Sequence, residues 1–126
     1  MMPSTKDDQI AHTIRRYVSL LATGSTDDLL ELFAEDATVE DPVGSDVRAG
    51  RNEIREFFST LQQLERQTEL VLLRVAGNEA AFSFTISFKA GDTPMRLQPI
   101  DTMTFDRDGK ITSVRSYFAP ADLAEV

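Results

Sequence analysis

The sequence predicts an α+β domain, and three observations predict it. Apolar residues recur at helical spacing in the first half, they alternate with polar residues in the second, and glycine-containing turns separate the alternating segments. Helices first and hairpin-joined strands after place the helices on one face of an antiparallel sheet. The 126 residues read as a single domain over 1–126. A chain near this size buries about two-thirds of the surface its unfolded form exposes.

Each element has a local reason. Ile10, Ile14, Tyr17, Val18 and Leu21 form one helical stripe, with Thr5 and Asp8 able to cap its start and Gly24 to end it. Ser25 and Asp28 repeat the capping pattern and open a short helix through Leu29, Leu30, Leu32 and Phe33. Glu35-Asp36 reads as a solvated turn. Ala37 to Asp41 is β-like and is broken by Pro42 and Gly44. Gly50-Arg51 marks a chain turn, and Ile54, Phe57, Phe58 and Leu61 form a third helical stripe at i, i+3, i+4, i+7. Leu70 to Val75 is an apolar run with one Arg, followed by the turn signal Gly77-Asn78. Phe82, Phe84, Ile86 and Phe88 alternate with Ser83, Thr85 and Ser87, as in a half-buried antiparallel strand. Gly91-Asp92 turns the chain into a strand from Met95 to Phe105, and Asp108-Gly109 into one from Ile111 to Phe118.

Composition narrows the chemistry. Thirteen Lys+Arg against twenty-one Asp+Glu give a net charge of −8, which argues against nucleic acid or an anionic membrane as partner. The chain has no Cys and one His, which excludes thiolate nucleophiles and two-histidine metal sites within one chain. No metal is expected. The start, MMPSTKDDQI, lacks the basic and apolar regions of a secretory signal, and no apolar run approaches a membrane span. The expected compartment is the cytoplasm. Chemistry must come from carboxylates, hydroxyls, amides or cations.

Three polar residues stand out on apolar faces. Period 2 through the strand from Met95 puts Met95, Leu97, Pro99, Asp101, Met103 and Phe105 on one side. Asp101 is then either a carboxyl in apolar surroundings, with a raised pKa, or turned to water by a bulge. Asp41 ends a short strand before Pro42. It is either a base held by a rigid turn, or simply the Asp of an Asp-Pro-x-Gly turn. Tyr17 lies on the first helical stripe, where its hydroxyl needs a partner, which for a core Tyr is more often a backbone carbonyl. His12 lies nearly opposite that stripe and is assigned no role.

These residues fall in segments with a family resemblance. Leu32–Ser45 (LFAEDATVEDPVGS) closely resembles the corresponding segment of the bacterial steroid Δ-isomerases, the ketosteroid isomerases. The likeness continues through Arg15–Gly24, Ile54–Phe58, Asn78–Phe88 and the Pro99-Ile100-Asp101 element, nearly the whole chain. It implies the cone-shaped fold shared with nuclear transport factor 2, in which three N-terminal helices pack on a curved, mostly antiparallel sheet enclosing an apolar pocket.

The resemblance also implies roles. Asp41 matches the general base that moves a proton from steroid C4 to C6. Tyr17 matches a donor to the C3 oxygen, and Asp101 a second donor kept protonated. The ketosteroid isomerases are a standing example of a carboxylic acid held neutral by an apolar site. Phe58, Phe84, Met103 and Phe118 are the candidates for contact with the steroid skeleton. The resemblance further implies a homodimer and no cofactor. A tyrosine found in the third helix of some members is Phe58 here. The competing readings are a non-catalytic binder of a steroid or similar apolar molecule, and a related enzyme such as a polyketide cyclase.

Overall fold

The computed structural model describes residues 5–126. Its helices are α1 (Lys6–Thr23), α2 (Thr26–Leu30) and α3 (Gly50–Gln62). Its strands are β1 (Phe33–Glu40), β2 (Arg48–Ala49), β3 (Arg66–Ala76), β4 (Glu79–Ala90), β5 (Thr93–Leu97), β6 (Ile100–Phe105), β7 (Ile111–Tyr117) and β8 (Ala124–Glu125). The strands form one curved, unclosed sheet in the order β2-β1-β7-β6-β4-β5-β8, with β3 also on β4. Every pairing is antiparallel except β1 with β7. The α+β architecture predicted from sequence is the one observed. Among the described residues no helix is long and apolar enough to cross a membrane.

α1 begins with a reciprocal cap: the Thr5 hydroxyl accepts from the Asp8 N–H at 3.0 Å, and the Asp8 carboxylate accepts from the Thr5 N–H at 3.4 Å. It ends at Gly24, whose backbone is extended (φ −86°). Glycine is needed there for space, because a Cβ would come within 3.0 Å of the Leu20 carbonyl oxygen and closer still to its side chain.

Three expectations are corrected. The second helix stops at Leu30, and Phe33 opens β1. The Leu32 carbonyl accepts from the Ile111 N–H at 2.9 Å, so pairing with β7 overrides the helical spacing. Glu35 and Asp36 lie within β1, exposed, where its register against β7 shifts between Phe33 and Thr38. The strand from Met95 to Phe105 is two strands, parted at Gln98-Pro99. β5 and β6 pair with opposite halves of β4: Phe88 faces Met95, and Phe82 faces Asp101.

A second register shift, in β3 between Leu70 and Leu72, turns both Val71 and Leu72 outward at 53% and 51% exposure. Such irregularities bend a strand and increase its twist, which suits a sheet that curls around α1 and α3. The tightest part of the core is Ile14, Phe33, Ala37, Val39, Ile54 and Ile111, all at 0% exposure.

Candidate active site

The concave side of the sheet is not filled throughout. A cavity of about 320 Å³ is lined by Leu21 of α1, by Phe57, Phe58 and Leu61 of α3, by Phe84, Ile86 and Phe88 of β4, and by Phe118 after β7. This volume is at the lower end of the usual range for small-molecule sites. Leu64 and Leu123, 37% and 40% exposed, lie at its edge.

Asp41 enters this cavity from the end of β1. Its turn is fixed by several neighbours. The Glu40 carboxylate accepts from the Gly44 N–H at 2.9 Å and from Arg115 Nε at 3.0 Å. The Val43 N–H donates to the Ser116 carbonyl at 2.8 Å, and the Ser45 hydroxyl to the Pro42 carbonyl at 2.6 Å. Arg48 Nη1 donates to the Asp41 carbonyl at 3.4 Å, while its guanidinium sits 4.5 Å over the Phe57 ring. Burial raises the Asp41 pKa to about 6, against the opposing pull of the Arg48 charge.

Tyr17 lies among rings without hydroxyls: Phe33, Phe58 and Phe82 have centroids 6.3, 6.2 and 6.3 Å away, all edge-on. Its pKa is raised, first by burial and then by the charges of Asp101 and Asp41. These three groups therefore share one electrostatic neighbourhood. Asp101 is buried at 1% exposure, and its Oδ1 has no hydrogen-bond partner among the described residues. Burial, partly offset by the Ser116 hydroxyl and reinforced by the Asp41 charge, raises its pKa to about 8. At neutral pH Asp41 is thus mostly ionised and Asp101 mostly protonated. A protonated Asp101 has a proton to donate and an oxygen that no protein group occupies.

Asp41, Tyr17, Phe58, Phe84 and Phe118 all line the cavity, as their candidate roles require. Asp101 does not form its surface. Ser116, its cross-strand partner on β7, does, and the two side chains lie side by side on one face of the sheet. Met103 is a correction: it is 1% exposed and belongs to the packed core rather than to the cavity. Period 2 put it on the correct face, but the cavity lies beside Phe84 to Phe88 while Met103 pairs with Ala80, farther along β4. Glu40, Arg48 and Ser116 were missed. Glu40 and Arg48 flank Asp41 within seven residues, a local signal that could have been read. Ser116 reaches Asp101 only through the β6–β7 register.

A family model described as a SnoaL-like domain matches residues 14–114. The chain belongs to the SnoaL-like family. It is 44% identical over 115 residues to the steroid Δ-isomerase of Nocardioides simplex, covering 91% of this chain and 94% of that one. Among solved structures, it superposes with a TM-score of 0.89 on the epoxide hydrolase/cyclase-like enzyme SalBIII, described for its role in pyran ring formation in the polyether salinomycin. That match has 29% identity and covers 97% of this chain and 100% of the other. The α+β fold and the likeness to steroid Δ-isomerases, both expected from the sequence, are borne out.

Proposed function

We propose that this SnoaL-like protein is a steroid Δ-isomerase, converting 3-oxo-Δ5-steroids to 3-oxo-Δ4-steroids by moving a proton from C4 to C6. The observation that carries the reading is the pair of carboxyls driven to opposite states around one apolar cavity, with pKa values of about 6 for Asp41 and about 8 for Asp101. The isomerase relative supports it.

Asp41, ionised, accepts the C4 proton. The electrons of that C–H bond shift into a dienolate, and negative charge develops on the C3 oxygen. Tyr17 and protonated Asp101 donate to that oxygen, and the surrounding rings keep water from competing. Asp41 then returns its proton at C6. Atoms and electrons balance with no other reactant. The base contributes about 10²–10⁴ in rate, and each donor about 10²–10³.

The test is the ultraviolet absorbance of a Δ5-3-ketosteroid mixed with the protein, since conjugation creates an enone band. Growth of the band, slowed about 10²–10³-fold in Tyr17→Phe, is expected. No growth, with the steroid bound, leaves the binding-protein reading. The likeness to SalBIII favours a cyclase as the other enzymatic reading, and no growth with no steroid bound would turn the assignment toward it.

A further inference from the structure

Among the described residues, four of the side chains lining the cavity carry polar atoms: Tyr17, Asp41, Ser116 and Arg66. The first three belong to the proton-transfer end. Arg66 does not. The register along β4 separates them, because Phe82 pairs with Asp101 while Phe88, six residues on, pairs with Arg66. Six residues of strand span about 20 Å between backbone positions, and the Arg66 side chain reaches back from there to the Leu21 carbonyl, about one helical turn past Tyr17 on α1. Phe84, Ile86 and Phe88, on one face of that stretch, form an apolar wall between the two ends.

Arg66 is held rather than free. Its Nε donates to the Leu21 carbonyl at the end of α1, and its Nη1 donates to the Leu64 carbonyl at 2.9 Å. Two edges of the guanidinium are thereby tied to backbone, and the Nη2 donors remain. The ion pairs among the described residues, Arg55 with Asp27 and Arg115 with Glu40, do not involve Arg66. A fixed, unneutralised guanidinium at one end of an apolar cavity is preorganised for a charge-assisted hydrogen bond.

We propose that Arg66 is a specificity residue that receives a carboxylate carried on the end of the ligand farthest from its ketone. The placement of the ketone rests on the isomerase reading. The carboxylate subsite rests on Arg66 alone. The chemical class is then a flat, apolar skeleton with a ketone at one end and a carboxylate at the other.

The test measures equilibrium binding, which needs no turnover. The probes are 3-oxo-4-androstene-17β-carboxylic acid, its methyl ester, and dodecanoate. The wild-type protein should bind the steroid acid about tenfold or more tightly than the ester, the range for a hydrogen bond to a charged group. Arg66→Gln should abolish that preference, Arg66→Lys should retain part of it, and added salt should weaken it. If Arg66→Gln does not fold, the acid–ester comparison and its salt dependence in the wild-type protein still decide. Equal binding of acid and ester overturns the proposal, as does a preference unchanged in Arg66→Gln. If neither steroid binds but dodecanoate binds in an Arg66-dependent way, the isomerase reading falls and the carboxylate subsite stands. If neither acid binds, the subsite falls, whatever the enone assay shows.

Discussion

Along β4 one alternating pattern meets two fates. At Ala80 and Phe82 the inward side chains are 5% and 2% exposed, and the Phe82 ring meets those of Tyr17 and Phe84. At Ile86 and Phe88 the inward side chains are only half-buried and face the cavity. The residue types are alike, so hydrophobicity does not account for the difference. What differs is the neighbouring structure. The first half of β4 pairs with β6, beside β7 and the packed core, while the second half pairs with the short strand β5, next to the exposed edge strand β8. The lesson is that alternation specifies which face turns inward, and tertiary packing decides whether that face is filled or left open for a ligand.

The strongest way to sharpen this contrast is to change the open end chemically without changing its packing. Asp41→Asn keeps the side chain's size but cannot accept a proton, so turnover in the enone assay should fall by about 10²–10⁴. Thermal stability at neutral pH should hold or rise. The sign follows from the raised pKa: a carboxyl that titrates at about 6 when folded, above its ordinary value, costs stability once it ionises. Near-normal turnover in Asp41→Asn would remove it as the base.

A second pair of variants tries to erase the contrast. Phe33, at 0% exposure in the filled end, should lose about 3–5 kcal/mol on change to Ala. Phe88→Ala, at the open end, should lose about 1 kcal/mol, because a half-buried ring gives up only part of its transfer energy. Urea unfolding of both variants gives the comparison. Equal losses would mean that the two ends are packed alike.

The smallest effect expected is a change in pH profile. Turnover of the wild-type protein should rise as Asp41 ionises near pH 6 and fall as Asp101 loses its proton near pH 8. Asp101→Asn still offers an N–H donor, so at neutral pH it should remain within about tenfold of wild type, less than the loss of a whole donor. Its alkaline fall should disappear. An alkaline limb that survives in Asp101→Asn belongs to another group.

Much of this was legible locally. The stripes of α1 and α3, the Thr5–Asp8 cap, and the alternation of β4 depend on residues within a turn or two of one another, and each formed as read. The Asp101 face was legible for the same reason: period 2 continues across the break at Gln98-Pro99, leaving Leu97, Pro99, Asp101, Met103 and Phe105 buried. The end of α2 was not legible, since it depends on a hydrogen bond to Ile111, far along the chain.

By itself, then, the sequence determined the class of fold, the inward faces of its helices and strands, and a short set of polar residues placed against apolar surroundings. Those are properties of spacing, and spacing is written in the chain. Only the tertiary structure decided that Asp41 and Tyr17 share one cavity, that Asp101 sits beside cavity-lining Ser116 with its Oδ1 unpartnered, that Met103 is core, and that Arg66 enters the cavity from β3. Each of these depends on strand register and on which helix covers which stretch of sheet. Such contacts join residues tens of positions apart, and no local pattern encodes them.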